Sequence, residues 1–289
     1  MNLKNVPSWK LFCSTFFIAF FVFGSMFGVS LYFILNSSEE TQNDAQNVPV
    51  EDYYSPSNDD NLTLVLMACR QTNEVPSCYL VCKFDAVENR CKIVSVPVDT
   101  LSTVNVSEKT ISEHYQYGGP KEAADACANL FLLDADAYLR LDTDGIRMLT
   151  DYFSGFEWTF QQDVETSQYQ YSKGAQLIDG NRMGDLLMDA AFAEKAELLE
   201  EFFETHLSEK LTAKLDEFYS LLFEYSDTDL SRSTLNRLDK PIHRFLRLEK
   251  EKTTTYLLSG NIAGEVFVPQ PDSLKQLQQQ FSDQEITKS

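Results

Sequence analysis

The sequence predicts an α/β or α+β domain held on a membrane by one N-terminal helix. Three observations carry this: an uncharged stretch of 25 residues at 11–35, strand-length apolar runs alternating with helical patterns from residue 61, and a helical stripe after Gly180 that gives way to strand-like runs. With 289 residues, 43% hydrophobic and 24% charged, the chain has material for one sizeable domain, or at most two, and wholesale disorder is excluded. The 44 Asp+Glu against 24 Lys+Arg argue against a nucleic-acid partner, because phosphate neutralisation needs clustered bases.

In chain order, residues 1–10 carry Lys4 and Lys10, and no acid precedes Glu39. Leu11 to Leu35, LFCSTFFIAFFVFGSMFGVSLYFIL, exceeds the ~20 residues a helix needs to cross a hydrocarbon core. The NSSEET that follows offers no small-residue cleavage site, so the segment reads as an uncleaved anchor. Two lysines before it and Glu39 and Glu40 after it put the N-terminus in the cytoplasm and everything after Ser37 outside. Residues 36–60 hold seven acids and no base, a composition that buries too little apolar surface to order itself and suits an acidic tether.

Leu62 to Cys69 is a continuous apolar run, the pattern of a central strand covered on both faces. Cys78 to Phe84 and Cys91 to Val96 are further β-rich runs, joined by a hairpin link. A helix is expected over Ala123–Leu132, a short strand over Tyr138–Leu141, and a helix over Ile146–Phe153 opened by Asp144-Gly145. Leu199, Phe202, Phe203, Leu207, Leu211, Leu215, Phe218 and Leu222 then keep i+3/i+4 spacing opposite a Glu-rich face, which predicts a long core-facing helix. Ser226–Asp229 breaks the pattern, and Pro241 suits the first turn of another helix. Thr253–Leu258 and Glu265–Val268 return to strand character before a helix over Ser273–Phe281, an ending that favours one domain.

Cys69, Cys78, Cys82, Cys91 and Cys127 lie beyond the anchor. Five cysteines cannot all pair within one chain, and runs such as LTLVLMAC and CYLVC suit buried thiols, with one disulfide left open. The spacings and the three histidines, His114, His206 and His243, form no zinc pattern. Gly118-Gly119-Pro120-Lys121 is no Walker loop, and Gly-x-Gly-x-x-Gly, His-Glu-x-x-His and Gly-x-Ser-x-Gly are absent. Asp142-Thr-Asp144-Gly145 with Asp151 has the look of half a calcium loop, but Arg140 would occupy its first ligand position, so an acidic helix start is the better reading. Arg237, Lys240, Arg244 and Arg247 with His243 form a basic stripe, which either holds an anion or is a solvated face balanced by acids, the commoner arrangement.

The segment NLTLVLMACRQTNEVPSCYLVCKFDAVENRCKIVSVPVDT at 61–100 resembles the opening of the LytR-CpsA-Psr family. The resemblance continues through HYQYGGP at 114–120, CANLFLLDADAYLRLDTDGIRMLTDYFSG at 127–155, YSKGAQLIDG at 171–180 and LSGNIAGEVFVPQPDSLKQL at 258–277. It implies an extracytoplasmic α/β/α domain with a mixed central sheet over 61–281, followed by a tail at 282–289. Members of this cell-envelope family transfer a glycopolymer from a polyprenyl pyrophosphate carrier to peptidoglycan, with magnesium assisting. The lipid tail lies in an apolar pocket and arginines grip the pyrophosphate, as two phosphates require.

This chain departs from that pattern where the work is done. The family's first motif ends Gly-x-Asp-Ser-Arg; here Met67-Ala68-Cys69-Arg70 keeps only the arginine. Arg-Ser-Asp-Thr reads Val75-Pro76-Ser77-Cys78, and Pro-Arg-Asp-Thr reads Pro97-Val98-Asp99-Thr100. Two arginines expected after Leu-Asp-Gly are Met188 and Ala190. Residues 61–190 contain 10 bases and 19 acids, so the mean field also opposes an anion.

The candidate ligand contacts are Arg70, Asp99, Lys121 and Arg182. Arg70 and Asp99 are the candidates for catalysis, and Asp99 for magnesium. The plainer readings are a strand-end ion pair for Arg70, a turn or cap for Asp99, and a turn before a helix for Gly118–Pro120. The expectation is a non-catalytic or altered member that binds a polyprenyl-linked lipid, a glycan or an envelope protein. A working glycopolymer phosphotransferase and a purely structural partner-binding ectodomain are the alternatives.

Overall fold

Leu62–Ala68 (β1) is the central strand its composition predicts: Val65 and Met67 are buried under one helical layer, while Leu64 and Leu66 face another. In the computed structural model the described residues are 54–104, 106–249 and 251–282. The expected anchor at 11–35, most of the tether and nearly all of the tail lie outside them. Among the described residues no helix is long and apolar enough to cross a membrane.

β1 pairs antiparallel with Cys78–Asp85 (β2), which pairs antiparallel with Arg90–Val96 (β3). A hairpin of Leu101–Val104 (β4) and Ser107–Thr110 (β5) leads into the helix Ile111–Asn129 (α1). Thr110 and Glu113 form a capping box at its start, and Gly119, at φ 74 and ψ −162, kinks it just before Pro120. The turn expected at Gly118–Pro120 therefore separates two helical segments. Beyond it, buried Ala123, Ala124, Cys127 and Ala128 allow close packing on the sheet.

Ala137–Leu141 (β6) returns parallel to β1. Asp142, rather than Asp144-Gly145, opens Thr143–Tyr152 (α2), accepting the Gly145 N–H at 2.9 Å. Phe156–Phe160 (β7) and Gly174–Ile178 (β10) form a ribbon, with Val164–Glu165 (β8) and Gln170–Tyr171 (β9) paired between them. Gly180–Met188 (α3), capped by Asp179, packs against α2 so closely that a Cβ on Gly180 would lie 2.5 Å from Arg147 Cα.

The stripe from Leu199 to Leu222 is not one helix. Lys195–His206 (α4) ends where Leu207 leaves helical geometry at φ −78 and ψ 84; a 3-10 turn at Glu209–Lys214 follows, then Leu215–Glu224 (α5). The spacing persists across the break because both helices turn apolar faces toward the same sheet. Asp227–Thr228 (β11) pairs with β6, and Arg232–Arg237 (α6) and Asp239–Leu246 (α7) follow, with Pro241 in the first turn of α7 as expected. Thr253–Tyr256 (β12) joins β3 in parallel, then Gly260–Ala263 (β13), Val266–Pro269 (β14) and Pro271–Phe281 (α8) close the chain.

The result is a mixed six-stranded sheet, β11-β6-β1-β2-β3-β12, with helices on both faces. The cross-strand neighbours Lys83 and Lys92, 1% and 3% exposed, reach the last carbonyls of α8, donating to Phe281 O at 2.6 Å and Gln280 O at 2.9 Å. Two ammonium groups at a helix C-terminus satisfy carbonyls that have no intrahelical donor.

Candidate functional site

The register places the ends of β1, β3 and β6 and the start of β2 along one edge of the sheet, since Ala68 pairs with both Cys78 and Leu141, and Tyr79 with Val96. Residues 68–70, 75–78 and 97–99, distant in sequence, therefore share this edge. Arg70 is exposed there; its carbonyl accepts the Thr143 hydroxyl at 3.0 Å, and its guanidinium makes no hydrogen bond or ion pair among the described residues. Asp99 sits in the exposed β3–β4 turn, held through its carbonyl by Phe267 N–H at 2.9 Å.

Lys121 is not brought to this edge. Its ammonium donates to Asp125 at 2.8 Å and to the Ala135 carbonyl at 2.9 Å, and Ala135 lies just before β6, at the sheet's opposite edge. Arg182 donates to Leu177 O at 2.6 Å, about 9 Å back along the α3 axis from Met188. Met188 itself meets the edge, where the Ser77 hydroxyl lies 3.8 Å from its sulfur. The residues at a family acid position and a family arginine position thus touch as a neutral pair.

Beneath the edge, between the sheet and the helices α2 to α5 and α7, lie two adjoining apolar cavities of about 220 and 190 Å³. They share Leu64, Leu66, Phe203, Leu207 and Phe218 as walls. The first reaches Ala68 and Cys78 at the edge, and the second reaches Leu62 at the start of β1. Together they follow the length of β1, about 20 Å for seven residues. No charged side chain lines either one. These wall residues were legible in the sequence only as core, because a cavity and a packed core use the same side chains.

Beside the edge is a polar cavity of about 260 Å³ lined by Cys69, Thr72, Arg140, Asp142, Asp144 and Asp227, among others. Arg140 is fully engaged in it, bonded to Asp227 through Nε at 3.1 Å and Nη2 at 2.8 Å, to Tyr115 Oη at 2.8 Å and to the Thr72 carbonyl. Burial pushes the Asp142 carboxyl up, but hydrogen bonds from the Thr72 hydroxyl and the Gly145 and Asp144 N–H groups, with Arg140 nearby, hold it below the usual carboxylate range. This is the helix start expected of the half calcium loop.

No group of three His, Cys, Asp or Glu among the described residues could hold a metal ion. With Ala68 and Ser77 at the family's acid positions and Asp99 alone in its turn, the residues present do not fit a magnesium site. Four residues of the basic stripe have partners, two of them acids: Arg237 bonds the Asp59 carbonyl, Arg244 the Ala86 carbonyl at 2.6 Å, His243 lies 3.4 Å from Asp239, and Arg247 lies 3.8 Å from Glu209. Cys69, Cys78, Cys82, Cys91 and Cys127 are all free and buried. Burial raises the Cys69 and Cys78 thiols to about 11.

Solved structures share this fold. A protein of Eubacterium siraeum superposes with a TM-score of 0.72 at 16% identity, covering 83% of this chain and 97% of that one. TagV of B. subtilis does so at 0.63 and 17% identity, covering 76% and 95%, and TagT bound to LI-WTA at 0.60 and 12%, covering 80% and 93%. None of the curated proteins matches the chain. The family model described as the LytR_cpsA_psr family matches residues 28–186, more than half of the sequence. Motif positions, sheet and matched span agree, and the chain belongs to the LytR-CpsA-Psr family.

Proposed function

We propose that this protein is a membrane-anchored, extracytoplasmic family member that holds a polyprenyl-linked lipid by its tail and has lost or altered the family's phosphotransfer. In this reading residues 11–35 anchor the chain, 36–60 form the tether and 61–281 form the binding domain. The observation that carries it is the pair of adjoining cavities, apolar but for Thr150 and Tyr219 and as long as β1. A dry, apolar void is stabilised by an apolar occupant, and an isoprenoid chain has the matching shape and chemistry. The bound LI-WTA of a TagT with the same fold supports a ligand of that class.

Arg70 follows the cavity wall Ala68 by two residues, and Asp99 lies in the exposed turn after β3. Apolar or neutral residues occupy the other motif positions, and an apolar side chain cannot replace a bidentate donor. Lipids extracted from the protein, purified without detergent after expression on the outer face of its native membrane, test the reading by mass spectrometry. A polyprenyl lipid near one per chain is the expected result. A folded protein free of such lipid would shift the function to a protein or glycan partner.

A further inference from the structure

The lipid reading leaves the head group unspecified, and one side chain near the cavity mouth bears on it. Lys195 opens α4 and is 7% exposed, yet it makes no hydrogen bond or ion pair with any described residue. Leu199 and Phe202, one and two turns further along the same helix face, line the first cavity. Lys195 also acts on Cys78, another wall of that cavity, opposing the upward push of burial on its thiol. Its ammonium is not among the sealed polar atoms that lack a partner, so the stem is covered while the tip meets open space.

A cation in the first turn of a helix opposes the helix dipole, and no described acid pairs with this one. Glu194 and Glu197, both half-buried, do not pair with it, and Glu194 provides no side-chain cap, so the first N–H groups of this 12-residue helix have no side-chain acceptor. An anion bound there would pair with the ammonium and accept from those N–H groups at once.

Resting on the lipid reading, we propose that Lys195 and the N-terminus of α4 hold a single anionic head group, a phosphate monoester or a carboxylate, on a long-chain lipid whose tail fills the cavities. A diphosphate brings a further charge, and Val75, Met188 and Ala190 supply no second covered cation for it. Arg70, on the same edge, remains in water.

The test is binding by the full chain in detergent micelles, read by native mass spectrometry, of undecaprenyl monophosphate, undecaprenyl diphosphate, undecaprenol and palmitate. The monophosphate should bind roughly 10-fold or more tightly than the alcohol, the scale of one charge-assisted contact, and the diphosphate should gain little beyond it. Lys195→Met should bring the anionic probes to the level of the alcohol and leave the alcohol unchanged, while Lys195→Arg should restore the preference. Whichever of monophosphate and palmitate binds more tightly identifies the anion, and both orders support the site. Equal binding of monophosphate and alcohol by the unaltered protein, or a diphosphate bound 10-fold more tightly than the monophosphate, overturns the proposal whatever the variants do. Failure of every probe, the alcohol included, would instead remove the lipid reading beneath it.

Discussion

Ser77 and Met188 show how a charged site is dismantled without leaving a charge stranded. The resemblance puts an acid at one position and an arginine at the other, and their neutral replacements are in contact. Restoring one charge alone should therefore be costly. Met188→Arg, at a buried position, is expected to lower unfolding free energy by about 3 kcal/mol, and adding Ser77→Asp should recover part of it, as denaturant titration of the single and double variants would show. The thiols give a second prediction. Burial raises Cys69 and Cys78 to about 11 and pushes Cys127 the same way, and a hydrogen bond to Cys91 together with burial raises Cys82, so little thiolate forms on them near neutral pH. Site-resolved mass spectrometry should find Cys69, Cys78, Cys82, Cys91 and Cys127 unmodified by iodoacetamide in the folded protein and modified in denaturant; rapid labelling of the folded form would show that this layer opens.

The elements divide by how much of their pattern was local. β1, β2, β3 and β6 were legible because apolar runs of strand length have few other uses, and α2 and α8 were legible as helices although each begins two or three residues before the expected start, at Thr143 and Pro271. β4, β5, β7 and β10 were not, since short half-exposed ribbons such as LSTV, SEKT and GAQLI mix polar and apolar residues without a strict period. The α4–α5 break leaves no mark in the spacing, because the stripe records which side faces the core, and a turn that keeps both helices on one sheet preserves it. Packing of α2 on α3 supplies the prediction at this scale. Gly180→Ala places a methyl group against Arg147 backbone atoms, which cannot yield as a flexible side chain would, and should lower stability by about 1–3 kcal/mol in thermal or denaturant unfolding. A neutral outcome would mean that the two helices separate easily.

At the largest scale, the family chemistry meets three obstacles together: an acidic domain, an edge with most of its arginines replaced, and, among the described residues, no set of acids suited to magnesium. Turnover of a polyprenyl-pyrophosphate glycan is accordingly expected to equal a buffer control across magnesium concentrations, and a magnesium-dependent rate would overturn that expectation. The strands and helices with strong periods, the buried thiols and the family follow from the residues in order, because each is written in neighbouring residues or in motifs that keep their order. It also held the departures at Ala68, Ser77, Val98 and Met188. Packing is what brings some of these residues to one edge and Lys121 to the opposite one, covers Lys195 without a partner among the described residues, and leaves room between the apolar layers. Hydrophobic pattern says which way a side chain faces; the distance between two facing layers depends on where helices separated by more than 50 residues come to rest on one sheet.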